Sequence, residues 1–126
     1  MREHIIALDI DIQQKGANAY RVSLNGSPDT ITSPDLEAQL DQAFSGHVAM
    51  AVFDMEHLTF ISSAGLRVIF KTLKKLKASD GRVGVSKMSP SVRKVFEIVK
   101  ALPDMNVFAN DEEMDAYLAA MQRPDT

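Results

Sequence analysis

The sequence contains no cysteine and no tryptophan, and only 6% of its 126 residues are aromatic. Without cysteine the chain cannot form disulfides, use a thiol nucleophile or bind zinc through thiolates. The shortage of aromatic side chains leaves few surfaces on which nucleic-acid bases could stack. The net charge of −3 also argues against a broad basic surface, so we expect no direct nucleic-acid partner.

Long apolar runs are missing as well. The apolar stretches are too short to cross a membrane, and Met1–Glu3 does not lead into a signal-peptide core. Hydrophobic residues make up 45% of the chain and charged residues 25%, which is typical of a globular protein. We therefore expect one cytoplasmic domain over residues 1–126, with a frayed, disordered tail at 122–126 and no membrane insertion.

Two alternating runs near the start predict a β-hairpin. The apolar residues of the first run, Ile6, Leu8, Ile10 and Ile12, alternate with Ala7, Asp9 and Asp11, as in a strand with one wet face. Residues 16–18 are turn formers, and the alternation resumes over 20–24.

Beyond the hairpin, helical and strand patterns alternate. A helix is predicted from Ser33-Pro34, with Ser33 as N-cap, to Gly46 as its closing residue. The apolar run 48–53 predicts a central strand. The remaining predicted elements are a helix over 64–77, a strand over 82–85, a helix opened by Ser89-Pro90 and carrying Val92, Val95, Phe96 and Val99, a strand over 106–108, and a terminal helix from Asp111.

The predicted order is therefore β-β-α-β-α-β-α-β-α. Strands that alternate with helices indicate an α/β fold with parallel central strands. We expect a mixed sheet of four to five strands, with the hairpin as its antiparallel edge, and about four helices.

Catalytic or metal-binding residues do not form a recognisable set. His4, His47 and His57 are scattered, and none lies at metal-ligand spacing from another ligand type. The simplest interpretation places them on the surface or at loop ends. No glycine-rich phosphate loop follows a strand. We expect no catalytic residues, no metal and no cofactor, and hence a protein that is not an enzyme.

A basic run lies on the second predicted helix, opposite its apolar stripe; its members are Arg67, Lys71, Lys74, Lys75 and Lys77. One interpretation is a solvated face whose cations lie near the negative end of the helix dipole. The other is an electrostatic docking face for an acidic partner.

The segment between the central strand and this helix has the most informative pattern. It ends in Ser62-Ser63, where a hydroxyl can cap the free N–H groups of the first helical turn. Those N–H groups and the helix dipole also favour an anion, including a covalently attached phosphate. Ala64 and Gly65 keep the helix start small, so a partner's backbone could approach closely. A structural cap and a phosphorylation switch are the two interpretations.

The stretch Asp54…Leu58-Thr59-Phe60-Ile61-Ser62-Ser63-Ala64-Gly65-Leu66-Arg67-Val68-Ile69 resembles the central motif of STAS domains, specifically of bacterial anti-sigma factor antagonists. Residues 24–30 resemble an early turn of that family, and residues 88–96 resemble its segment ahead of the third helix. The resemblance implies a STAS fold and assigns the phosphorylated serine to Ser63. This chain departs from the pattern at Ser62, where the family has aspartate, at Ala64, where relatives often have Ser or Thr, and at Pro28, which replaces leucine.

In that family the unmodified antagonist binds a serine-kinase anti-sigma factor and frees the sigma factor. The kinase phosphorylates the antagonist, which breaks the complex, and a PP2C-type phosphatase resets it. The resemblance implies the same partners here, and a contact surface formed by Asp29, Thr30, Ser62, Ala64, Gly65, Leu66, Arg67, Ser89 and Pro90. Two alternatives stay open: a scaffold without a switch, for example a subunit of a lipid-transport ATPase complex, and an enzyme.

Overall fold

The computed structural model describes residues 8–26, 32–100 and 105–122. In chain order its elements are β1 Leu8–Gly16, β2 Ala19–Gly26, α1 Ser33–Ala43, β3 Met50–Asp54, α2 Ser63–Ala78, β4 Arg82–Ser86, α3 Pro90–Ile98, β5 Asn106–Phe108 and α4 Asp111–Gln122. This order confirms the predicted one. Within these ranges no helix is both long and apolar enough to span a bilayer.

The five strands form one mixed sheet in the order β1-β2-β3-β4-β5. β1 and β2 are antiparallel, and Asn18 takes a positive φ of 62° in the turn that joins them. The other neighbouring pairs are parallel. Because each parallel crossover is right-handed and moves one strand further in the same direction, α1, α2 and α3 all lie on one face of the sheet.

The two faces of the sheet bury apolar cores of different size. The larger core contains Phe53 of β3 together with Leu40 of α1, Ile69 of α2 and Phe96 of α3. The smaller core lies under α4, and its buried residues are Ala19, Met50, Val52, Phe108, Met114 and Leu118. Since β3 is buried on both faces, it has the continuous apolar sequence typical of a central strand.

Three details of the predicted helices are wrong. The N-cap of α1 is Thr32, and Ser33 is the first helical residue and only 4% exposed. The same helix ends at Ala43 with Phe44 as its C-cap, and the Phe44 ring lies 5.2 Å from that of Tyr20, so Gly46 lies beyond the helix. Val99, which is predicted to lie within the third helix, is the C-cap of α3 and is 41% exposed.

The end of α4 bears on the predicted tail. Gln122, the first residue of that tail, is the last residue of the helix, and residues 123–126 lie outside the described residues.

Candidate partner-binding site

The loop that joins β3 to α2 is fixed to its neighbours by backbone hydrogen bonds. The N–H of Gly26 donates to the carbonyl of His57 at 3.0 Å, and the N–H of Thr59 donates to the carbonyl of Gly26 at 3.0 Å. At the start of the loop, the N–H of Met55 donates to the carbonyl of Ser86 at 2.9 Å. The loop is therefore held against the ends of β2 and β4, and this fixes where α2 begins.

The first turn of α2 gives the two adjacent serines different roles. Ser62 is the N-cap, with extended backbone, and its Oγ accepts a hydrogen bond from the N–H of Gly65 at 3.2 Å. Its carbonyl oxygen accepts a hydrogen bond from the N–H of Leu66 at 2.9 Å. Ser63 is the first helical residue and is exposed to solvent. The structural-cap interpretation therefore holds for Ser62, and Ser63 is left at the surface.

The predicted contact residues differ in their exposure. Ser63, Arg67 and Pro90 are exposed, whereas Ser62, Ala64, Leu66 and Ser89 are half-buried. Gly65 is buried, so it supports the cap and presents little surface. The predicted contacts Asp29 and Thr30 lie outside the described residues.

The start of α3 lies next to the loop that leads into Ser62. Ser89 caps α3 by accepting the N–H of Val92 at 3.2 Å, as its Ser-Pro sequence predicts. A shallow cavity of about 100 Å³ separates the loop from α3; its lining residues are Thr59, Phe60, Ile61, Ser91, Val92 and Val95. The structure thus brings the Ser89-Pro90 turn to the side of the predicted site.

Phe60 is a surface residue that the sequence analysis did not single out. Its side chain is 57% exposed and lies two residues before the N-cap of α2. The only sequence signal was an aromatic residue in a short loop between a strand and a helix, and this pattern does not distinguish a buried ring from an exposed one.

The start of α1 lies on the other side of α2. A groove of about 200 Å³ separates the two helices; its lining residues are Ser33, Pro34, Glu37, Ala64, Arg67 and Val68. The starts of α1 and α3 therefore flank the loop and the first turn of α2, which contain Phe60, Ser62 and Ser63.

The basic run on α2 is partly neutralised by α1. Lys71 forms an ion pair with Glu37, and Lys75 lies 3.8 Å from Asp41. The hydrogen bond from Lys71 to Glu37 raises the pKa of Lys71 above its ordinary value. These two cations therefore belong to the contact between α1 and α2. The other members of the basic run, which remain candidates for the predicted docking face, are Arg67, Lys74 and Lys77.

An ionic cluster lies on the α4 side of the sheet. Asp54, at the end of β3, is buried and pairs with Arg21 of β2. Lys87 lies 3.6 Å from Asp54 and 3.0 Å from Asp111, at the start of α4. Burial opposes ionisation of Asp54, but hydrogen bonds from Arg21 and from the N–H of Glu56 outweigh it and lower the pKa of this carboxyl.

Lys87 shows the complementary effect. Burial disfavours its charged form, but hydrogen bonds to Asp111 and Glu56 outweigh that effect and raise its pKa. The cluster joins β2, β3, the end of β4 and α4. It stabilises the sheet edge from which the loop departs toward Ser62.

Possible metal ligands do not converge in the described part of the chain. No group of three or more His, Asp or Glu side chains is arranged to hold a metal ion there. His47 and His57 are exposed, and His4 lies outside the described residues.

Comparison with known proteins points to one family. The STAS domain family matches residues 9–114 of this chain. BtrV of Bordetella bronchiseptica, which is named as an anti-sigma factor antagonist, is 36% identical over 75 residues, covering 60% of this chain and 65% of BtrV. The anti-sigma F factor antagonist of Lysinibacillus sphaericus is 27% identical over 95 residues, covering 75% of this chain and 81% of that protein. The aligned part thus spans just under two thirds of the length of BtrV.

Solved structures agree with the family match. The anti-sigma factor antagonist SpoIIAA in its unphosphorylated form superposes with a TM-score of 0.76 at 25% identity, covering 88% of this chain and 97% of SpoIIAA. The phosphorylated form of SpoIIAA from Bacillus gives a TM-score of 0.72 at 24% identity, covering 86% of this chain and 99% of that chain. Both share the mixed five-stranded fold. Given the match over residues 9–114, the chain belongs to the STAS domain family.

Proposed function

We propose that this protein is an anti-sigma factor antagonist whose binding is controlled by phosphorylation of Ser63. The observation that carries the proposal is the division between two adjacent serines, in which Ser62 caps α2 and Ser63 is exposed beside it. A kinase can reach an exposed hydroxyl without unfolding the helix. The names of the relatives support an anti-sigma factor as the partner.

In the proposed cycle, unmodified protein binds a serine-kinase anti-sigma factor. The kinase transfers the γ-phosphoryl group of ATP to the Oγ of Ser63, releasing ADP while the hydroxyl proton passes to a base of the kinase. A PP2C-type phosphatase then hydrolyses the phosphoester with water, which restores the hydroxyl and releases inorganic phosphate. The contact surface consists of Asp29, Thr30, Ser62, Ala64, Gly65, Leu66, Arg67, Ser89 and Pro90.

The physical effect of phosphorylation is a change of surface rather than of fold. The phosphoryl group adds a charge of about −1.5 to −2 where a small hydroxyl had been. The start of α2 tolerates this charge, because its free N–H groups and dipole are favourable to anions. A partner that packs closely against the hydroxyl would have to bury the new charge. Changing the partner from almost fully bound to almost fully free requires about 5.5 kcal/mol.

The test is a comparison of binding and modification in Ser63 variants. Ser63→Ala should bind the cognate anti-sigma factor and should resist phosphorylation by it. Ser63→Glu should bind it at least about tenfold more weakly. Mass spectrometry of protein isolated from its native cells should find phosphate on Ser63.

Ser45→Glu is the control, because Ser45 is exposed in the loop before β3, at the opposite end of that strand from Ser63. It adds the same charge and should leave binding unchanged. Equal affinity of the Ser63→Glu and wild-type proteins would contradict the switch, and phosphate on Ser62 would move it by one residue.

BtrV, the Lysinibacillus sphaericus protein and SpoIIAA favour this function over a scaffold subunit without a switch, because all three are named as anti-sigma factor antagonists. Stable copurification with a transporter ATPase, without phosphate on Ser63 under any growth condition, would reverse that preference.

A further inference from the structure

The groove between the first turns of α1 and α2 has the character of an anion site. The N-termini of two helices, of 11 and 16 residues, lie beside it, and Ser33 and Ala64 contribute to its lining. The free N–H groups and the dipole of each helix favour negative charge there. Two further features of the groove, a buried hydroxyl and an exposed arginine, indicate that it binds an anion.

The first such sign is the hydroxyl of Ser33. This residue is only 4% exposed, and its Oγ has no hydrogen-bond partner among the described residues. Buried hydroxyl groups in folded proteins are nearly always paired, because an unpaired one has lost its water without replacement. Ser33 lines the groove, so an acceptor that entered the groove could supply the missing partner after rotation of the hydroxyl.

The second sign is the position of Arg67. It is exposed, it lines the groove, and it forms no ion pair within the described part of the chain. Arg67 is four residues after Ser63, so the two lie on the same side of α2 in successive turns. Helical side chains lean toward the N-terminus, which directs the long Arg67 side chain back over the turn that begins at Ser63.

One acidic side chain also lines the groove and must be considered. Glu37 would repel an anion, but its carboxylate already forms an ion pair with Lys71 on the side of the groove away from the helix starts. The charge left unbalanced among the lining residues is therefore that of Arg67.

We propose that Arg67 is a phosphate-positioning residue: it pairs with the phosphoryl group of phosphorylated Ser63 at the mouth of this groove, with the Ser33 hydroxyl as a second donor. The inference rests on the proposed modification of Ser63. It adds that phosphorylation changes the partner surface twice, because it introduces a dianion and at the same time draws Arg67 away from the partner. An arginine fork is well suited to this role, because its parallel N–H donors match two phosphate oxygens.

The experiment installs phosphoserine at position 63 of the full chain by genetic encoding, so no natural kinase is needed. The titration of the phosphate is followed by ³¹P NMR in the otherwise wild-type protein, in Arg67→Gln and in Lys74→Gln. Lys74 is the matched control, since it is an exposed cation on the same helix and lies about 16 Å along the helix axis from position 63. The second pKa of a phosphoserine is ordinarily about 6.

With Arg67 present, that pKa should be lower than in Arg67→Gln by at least about 0.5, because a neighbouring positive charge favours the dianion. Lys74→Gln should titrate like the wild-type protein. Equal midpoints in the wild-type and Arg67→Gln phosphoproteins would overturn the proposal. A conservative Arg67→Lys variant should retain part of the difference, because it keeps the charge and loses the fork.

Ser33→Ala tests the second donor through thermal melting. In unmodified protein, removal of an unpaired buried hydroxyl should leave the Tm unchanged or raise it. In the phosphoprotein the same change should lower the Tm relative to its own parent. Equal effects on both forms would remove Ser33 from the site.

The outcomes also separate this inference from the proposed function. If Arg67→Gln lowers only the affinity of unmodified protein for the anti-sigma factor and leaves the titration unchanged, the groove serves the partner and the inference fails while the switch stands. If the titration behaves as expected but Ser63 is never phosphorylated in native cells, the switch fails and the phosphate site remains as a property of the helix start.

Discussion

The Oγ of Ser62 accepts a hydrogen bond from the backbone N–H of Gly65 at 3.2 Å, and this contact determines what its neighbour can do. An N-cap hydroxyl satisfies one of the four free N–H groups of a helix and holds the first turn in place. Because Ser62 supplies the cap, α2 does not need the hydroxyl of Ser63. A modification of Ser63 can therefore change the surface without removing the contact that begins the helix.

The first prediction concerns this cap. Ser62→Ala should lower the free energy of unfolding by about 1 kcal/mol, because the N–H of Gly65 loses its acceptor. Urea denaturation followed by circular dichroism measures the change. Ser89→Ala is a matched variant, since Ser89 caps α3 through the N–H of Val92 at the same distance of 3.2 Å and should show a similar loss.

Ser63→Ala is the control for both cap variants and should be close to neutral, because alanine is a better helix former and Ser63 is exposed. A loss from Ser63→Ala as large as that from Ser62→Ala would mean that the two serines share the cap. The assignment of the cap to Ser62 alone, with Ser63 free to be modified, would then be wrong.

The second prediction concerns the buried carboxyl of the ionic cluster. The native pKa of Asp54 is lowered, so its contribution to stability is present above the unfolded pKa of about 3.9 and is lost as the pH falls through the lower native value. Between those two pKa values the unfolded chain binds the extra proton, and stability therefore rises with pH. Asp54→Asn should remove this part of the pH dependence.

At neutral pH the same variant should lose about 2 kcal/mol, because Arg21 and Lys87 are left facing an uncharged amide. Thermal melting of the two proteins between pH 3 and pH 7 gives both quantities. Asp9→Asn, in the exposed part of β1, should leave the acid slope unchanged. Parallel pH profiles for the wild-type and Asp54→Asn proteins would show that the native carboxyl is not stabilised in its charged form.

Local sequence chemistry was sufficient to predict most of the architecture. The Ser-Pro pair at 89–90 predicts the start of α3, because a capping hydroxyl and a proline without an N–H suit adjacent positions there. The alternation in β1 and β2 and the helical stripes beyond them are also short-range features. Since consecutive strands are neighbours in this sheet, each helix packs against strands that are close to it in sequence, and short-range patterns therefore account for most of the architecture.

Contacts between distant segments were not predictable in this way. Asp54 pairs with Arg21, 33 residues earlier, and both approach Lys87 and Asp111 only after the strand register is set. Ser33-Pro34 fits the sequence pattern of a capped helix start, but Thr32 takes the N-cap position and Ser33 begins the helix. The groove proposed to hold phosphate lies between the starts of α1 and α2, which are about 30 residues apart in sequence, so no local pattern indicates it.

The third prediction concerns a glycine for which no side chain has room. A Cβ on Gly81 would lie 2.4 Å from the carbonyl oxygen of Val48 and 3.1 Å from that of Leu76. Because both are backbone atoms, the sheet and the end of α2 would have to move. Gly81→Ala should therefore lower the free energy of unfolding by about 2 kcal/mol or more, measured by urea denaturation.

Gly46→Ala provides the contrast, because a Cβ at that position meets nothing within 4 Å. Its backbone φ is not positive, so alanine should be neutral or slightly stabilising. If the two variants were equally stable, there would be room for a Cβ at Gly81, and the predicted clash with the carbonyl oxygen of Val48 would be wrong.

The fourth prediction separates binding from stability at Phe60. This ring is 57% exposed two residues before the α2 cap, and exposed aromatic side chains beside a binding site often contribute strongly to partner affinity. Phe60→Ser should weaken binding of the anti-sigma factor at least about tenfold, measured by calorimetry. It should cost no more than about 1 kcal/mol of stability, because more than half of this residue is already exposed to solvent.

Ile98→Ser is the matched control for Phe60, since Ile98 is 68% exposed at the far end of α3 from Ser89. It removes a comparable apolar surface eight residues, or about 12 Å, along the helix from Pro90. Binding should survive that change. Loss of affinity from Ile98→Ser but not from Phe60→Ser would contradict this prediction, because it would place the partner at the far end of α3, away from the start of α2. Ser63 could then affect binding only by changing the conformation of the protein.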